Sequence, residues 1–110
     1  MDNFREAIEI ERQLRGEPKT YEEAIIIVTE ALKKLVISKD KKYGKNPIKK
    51  FGHHGIVIRS SDKLDRLYNG VFNGTDLGAE GILDSYGDLS GYGLQGVMKE
   101  LGWFELENES

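Results

Sequence analysis

Apolar residues recur at helical spacing along most of this chain. In residues 2–15, Phe4, Ala7, Ile8, Ile10 and Leu14 make an incomplete apolar face, and Glu6, Glu9 and Glu11 mix with Arg5, Arg12 and Arg15 around the rest. Gly16 and Pro18 end this helix. Thr20 opens a second one. The run Thr20-Tyr21-Glu22-Glu23 fits a capping box, in which the threonine hydroxyl and the Glu23 carboxylate take up free N–H groups. Ala24, Ile25, Ile27, Val28, Ala31, Leu32, Leu35 and Val36 follow at helical spacing. The local run from Ile25 to Val28 is strand-like in composition, but the long period and the helix formers around it favour helix.

The pattern breaks over residues 38–54, which hold Gly44, Asn46-Pro47 and Gly52 and are expected to form a loop. A third helix is expected from near Gly55 to about Tyr68 or Phe72, with Ile56, Leu64, Leu67 and Val71 as its core stripe. Asn69-Gly70 and Asn73-Gly74 read as its end and a turn. Thr75 or Asp76 begins the last helix, which reaches about Leu101 with Leu83, Leu94, Val97, Met98 and Leu101 facing the core. Five glycines fall inside it, at 81, 87, 91, 93 and 96. Each costs about 1 kcal/mol relative to alanine in a helix interior, so close approach of a neighbour is expected, above all at Gly87 and Gly91. Gly102 ends the helix, and Trp103-Phe104 are expected to tuck back onto the bundle.

The elements predict an all-α domain resembling a small four-helix bundle. Residues 1–19 form an N-terminal helical arm, 20–104 the core and 105–110 an acidic tail. At 110 residues this is one domain. Hydrophobic residues make up 38% and charged residues 32%, which leaves a small core that oligomerisation into a dimer or tetramer would complete. The net charge of −3 argues against direct nucleic-acid binding by the whole surface. The absence of cysteine removes disulfides, thiolate metal sites and cysteine nucleophiles. No apolar run is long enough to span a membrane, and no signal peptide is recognisable, so a cytoplasmic protein is expected.

Charge is not spread evenly. Lys39, Lys41, Lys42, Lys45, Lys49 and Lys50 cluster in residues 38–54 against Asp40 alone. Such a loop is either a solvated lysine-rich segment or a phosphate grip. The adjacent His53 and His54 point apart on regular structure and make poor co-ligands. Further on, Arg59, Asp62, Lys63 and Arg66 share roughly one face of the third helix, and Glu80, Asp84 and Asp88 form a row at i, i+4 and i+8. Two uses of that row stay open. The acids pair with Arg59, Lys63 and Arg66 across an interface between helices, where each surface pair contributes about 0 to 1 kcal/mol. Alternatively, Asp62 joins Glu80, Asp84 and Asp88 around Mg²⁺, which favours hard oxygen ligands and shares itself with substrate phosphates. The cations then hold phosphate oxygens, and a metal-bound water attacks.

Lys42-Tyr43-Gly44, the segment from Gly55 through Arg59, Asp62, Lys63 and Arg66 to Leu67, and the segment from Asp84 through Asp88-Leu89 to Tyr92 together resemble the nucleotide modification associated domain 1 family, small proteins common in bacteriophages. The last helix, from Gly87-Asp88-Leu89 to Lys99-Glu100-Leu101-Gly102, is also distantly similar to MazG-type all-α nucleoside triphosphate pyrophosphohydrolases. The resemblance covers residues 39–102. It implies an oligomeric helical bundle in the cytoplasm, including that of a phage host, that binds Mg²⁺ and a nucleoside triphosphate. The reaction it implies is cleavage between the α- and β-phosphates, giving a monophosphate and pyrophosphate. Asp62, Asp84 and Asp88 are then the catalytic candidates, and Asp62, Glu80, Asp84 and Asp88 the Mg²⁺ ligands. Lys42, Arg59, Lys63 and Arg66 hold phosphates, and Tyr43 or Tyr92 meets the base or sugar. The chain departs from the pyrophosphohydrolase pattern of Glu-x-x-Glu and Glu-x-x-Asp: Ser85 lies three before Asp88, and the third helix carries Asp62-x-x-Asp65. A module that binds or sequesters a nucleotide without hydrolysing it is the alternative, and a purely structural bundle is the third reading.

Overall fold

The computed structural model describes residues 1–78 and 81–109. Among these, four α-helices follow one another: α1 (Phe4–Arg15), α2 (Tyr21–Tyr43), α3 (Asn46–Phe72) and α4 (Ile82–Glu100). The chain is all-α, as its hydrophobic period predicts, and has the form of a small four-helix bundle. None of the helices is long and apolar enough to cross a membrane.

Side chains cap α1 and α2, the second as the capping box at Thr20 predicts. The Asn3 side chain accepts from the Glu6 N–H at 2.8 Å at the head of α1. Thr20 accepts from the Glu23 N–H at 3.1 Å, and the Glu23 carboxylate accepts from the Lys19 N–H at 2.7 Å. These contacts satisfy N–H groups that the first turn leaves free.

The middle of the chain differs from its expected form. Residues 38–54 are not a loop. α2 continues to Tyr43, and Gly44 at φ 74° closes it. Lysine is a good helix former, so the charge run extends the helix, and Lys41 and Lys42 sit in the last turn, where cations suit the helix dipole. Asn46-Pro47 starts α3, with proline in the first turn, where its missing N–H costs nothing. At Gly52 (φ 61°, ψ −142°) the backbone leaves helical geometry, so α3 is two helical segments joined at a kink, and the second matches the helix expected from near Gly55. α4 starts later than expected, at Ile82. Glu80 lies outside the described residues.

Two helical hairpins make up the fold. α1 packs on α2 and α3 on α4, with smaller contacts of α4 to α1 and α2. In the second hairpin Gly70 faces Ile82, Lys63 faces Asp88, and Ile56 faces Gly96. Numbers fall on one helix as they rise on the other, so the pair is antiparallel. Phe4, Ala7, Ala31 and Leu35 form one buried cluster, flanked by Leu83. Ile48, Ile56 and Phe104 form another, flanked by Tyr92 and Met98. Phe104 tucks back as expected, whereas Trp103 stays exposed. So do Leu64, Val71, Leu94, Val97 and Leu101, five of the core positions expected on the last two helices. Glu11 is wholly buried in the first hairpin, where Lys34 contacts its two carboxylate oxygens at 2.9 and 3.1 Å.

α1 is fastened to α4 at two points, the Arg5 N–H, which donates to Asp84 at 2.9 Å, and Phe4. Phe4 lies so close to Gly87 that a Cβ there would come within 2.4 Å of its ring. This is the close approach expected at Gly87. Gly91 is looser, with Val36 in ordinary contact at 3.7 Å.

Candidate functional site

A pocket of about 320 Å³ lies between α2, α3 and α4, where the two buried clusters fall short of meeting. Leu32 and Leu35 line it from one side, and Ile48 and Phe104 from the other. Tyr43 enters from the end of α2, Arg59 from α3, and Asp88 and Tyr92, one helical turn apart, from α4. Lys39 and Asp40, the Gly44-Lys45 turn and Asp2 complete its polar rim.

The structure thus brings together Tyr43, Arg59, Asp88 and Tyr92, from three separate segments of the chain. Lys63 sits directly behind them, 2.9 Å from one Asp88 oxygen, and Lys39 approaches the other at 3.5 Å. The Lys63 and Asp88 side chains are each only 15% exposed, so their pairing is screened less than a surface bridge.

The remaining expected residues are elsewhere. Lys42 does not line the pocket. It pairs with Asp2 at 2.7 Å and lies 5.7 Å from the centre of the Tyr43 ring. That bond from Lys42 holds the Asp2 carboxyl below its ordinary pKa, helped by the charges of Lys42 and the N-terminus. Arg66 donates to the Leu77 carbonyl at 3.0 Å, bracing the connection before α4. Asp62 is exposed and lines none of this pocket. Asp84 is buried and accepts from the Arg5 backbone N–H at 2.9 Å, within the first turn of α1.

Two of the four expected Mg²⁺ ligands, Asp84 and Asp88, have protein partners. Asp84 binds a helix N-terminus and Asp88 two lysines. Among the described residues, no three His, Asp or Glu side chains gather closely enough to hold a metal ion. Glu80, the fourth expected ligand, lies outside the described residues.

Lys39 and Lys45 belong to the cluster that reads as a solvated segment or a phosphate grip, whereas nothing in the sequence singles out Asp2 or Asp40 for the site. Lys39 had a signal: it precedes Tyr43 by four residues, which is the same face once α2 is carried through to Tyr43. The Lys45–Asp40 bridge, at 2.6 Å across the α2–α3 turn, depends on Gly44 reversing the chain.

No family model, curated protein or solved structure matches this chain.

Proposed function

We propose that the chain is a nucleotide-binding module whose ligand occupies the pocket between α2, α3 and α4. One observation carries this reading. Residues that resemble a nucleotide-handling family, Tyr43, Arg59, Asp88 and Tyr92, are far apart in sequence yet line the same pocket, with Lys39 and Lys45 beside them. A few polar groups over an apolar floor is the usual composition of a small-molecule site. Arg59 offers a planar fork of donors suited to phosphate oxygens. Tyr43 and Tyr92 offer ring faces for a base and hydroxyls for a sugar. Binding without hydrolysis is the better-supported form, because Asp84 and Asp88 are engaged by Arg5, Lys39 and Lys63.

The module is further proposed to work as a homodimer or homotetramer. Leu64, Tyr68, Val71 and Phe72 on α3 and Tyr86 on α4 form an exposed apolar surface that a second copy would cover.

Calorimetric titration with nucleoside phosphates, and with inorganic phosphate as control, tests the binding. Nucleotides are expected to bind more tightly than phosphate. Arg59→Ala is expected to cost about 1.5–3 kcal/mol of binding, the range for a hydrogen bond to a charged group. Equal binding of phosphate and nucleotide, or affinity untouched by Arg59→Ala, would sink the reading. Adding Mg²⁺ and measuring pyrophosphate decides between binding and the hydrolysis that the resemblance implies.

A further inference from the structure

Three cations line the pocket, Lys39, Lys45 and Arg59, and so do three carboxylates, Asp2, Asp40 and Asp88. Most of these charges are engaged. Lys45 lies 2.6 Å from Asp40, and Asp2 is held by Lys42 at 2.7 Å. Asp88 has Lys63 at 2.9 Å on one oxygen and Lys39 at 3.5 Å on the other. Among the described residues, Arg59 makes no ion pair.

From this balance we infer that the pocket selects a nucleotide with a single phosphate, and that its carboxylates, Asp88 first among them, turn away longer phosphate chains. The inference rests on the nucleotide reading above. A phosphate monoester carries about 1.5 to 2 negative charges near neutral pH. Two cations can answer it. Arg59 is uncommitted. Lys39 makes the longer of the two contacts to Asp88, and its side chain is 42% exposed. When Lys39 turns to a ligand, Lys63 still holds Asp88, so no carboxylate is left alone in a half-dry site. A second or third phosphate finds no such provision. Lys45 is closed on Asp40, and the added charge must come to rest near Asp40, Asp2 or Asp88. Like charges brought together in an interface are strongly unfavourable. Size agrees with charge: 320 Å³ is near the lower limit of about 300–1,000 Å³ for ligand pockets.

The test is calorimetric titration of the full chain with 5′-mono-, di- and triphosphates of the common nucleosides, at low salt with EDTA present. For the best-bound base, the monophosphate is expected to bind at least about tenfold more tightly than the triphosphate. Asp88→Asn removes one repelling charge and releases Lys39. It is expected to narrow that gap by raising triphosphate affinity more than monophosphate affinity. A thermal melt confirms that the variant is folded. Lys39→Gln, at a more exposed position, supplies an independent check and should weaken monophosphate binding. Tighter binding of the triphosphate by the unaltered chain overturns the inference and leaves the nucleotide reading standing. A fall in triphosphate affinity in Asp88→Asn, or an unchanged gap, overturns the part assigned to Asp88. Absence of binding by every nucleotide removes the nucleotide reading, and this inference with it.

Discussion

Asp84 ties α4 to the head of α1. It is the middle acid of an i, i+4, i+8 row, yet it is buried and caps another helix, accepting the Arg5 N–H of α1 at 2.9 Å. A carboxylate at a helix N-terminus gains from both the free N–H and the helix dipole. Asp84→Ala is expected to lower stability by about 1–3 kcal/mol, the penalty for leaving a donor unmet, while Asp84→Asn keeps an acceptor and costs less. Urea denaturation of the two variants checks the order. The Asp2–Lys42 pair gives a pH signature. The Asp2 pKa is lowered by the bond from Lys42, so its contribution is present above the ordinary aspartate value of 3.8 and is lost as pH falls through the lower folded value. Both side chains are exposed, so the effect on stability is small. An NMR titration of the Asp2 carboxyl should show its midpoint below 3.8. At this scale the sequence is informative about residue type more than about partner. Arg59 and Asp88 stand out by resemblance, but nothing in one dimension shows that Lys63 and Lys39 divide the two Asp88 oxygens.

Among the elements, α2 is announced by its cap: Thr20 stands before an apolar period, and the helix begins there. α1 follows from its apolar period over residues 2–15, and Asn3 caps it. The errors lie where one signal has two physical outcomes. Gly52 takes a non-helical backbone that parts α3 into two helical segments, with Lys99 of α4 3.2 Å from where a Cβ would stand, so helix rather than loop stands on both sides of the break that this glycine signals. The lysines of residues 39–42 look like loop because they are charged, yet their propensity is helical. Gly87 is the position where flexibility is least relevant and absence of a side chain matters most. Gly87→Ala drives a methyl group into Phe4 and is expected to destabilise by about 1–3 kcal/mol, despite alanine's better helix propensity. Gly93→Ala, with nothing within 4 Å, is the control and should stabilise or leave the melting temperature unchanged.

The whole molecule keeps more apolar surface in contact with water than its core stripes predict. Leu64 and Val71 were expected in the core and are more than half exposed, next to Tyr68 and Phe72, whose rings stack at 4.8 Å. The helical period correctly marks these residues as needing cover. It does not say whether the cover comes from the same chain. Light scattering is expected to report a dimer or tetramer, and Tyr68→Lys to shift it toward monomer without loss of helical circular dichroism. A monomeric unaltered chain would refute the assembly.

The division into two hairpins has a dynamic consequence. α1 packs mainly on α2 and α3 mainly on α4, so each hairpin is expected to open and close as a unit. The pocket takes its walls from both, with Lys39 and Tyr43 on one and Arg59, Asp88 and Tyr92 on the other. A ligand seated there works as a removable cross-link. It slows the parting of the hairpins in proportion to its occupancy, by mass action on the closed form. Amide protons at the α2–α4 seam should therefore exchange more slowly as ligand is added, and those at the exposed start of α2 should exchange at the same rate throughout.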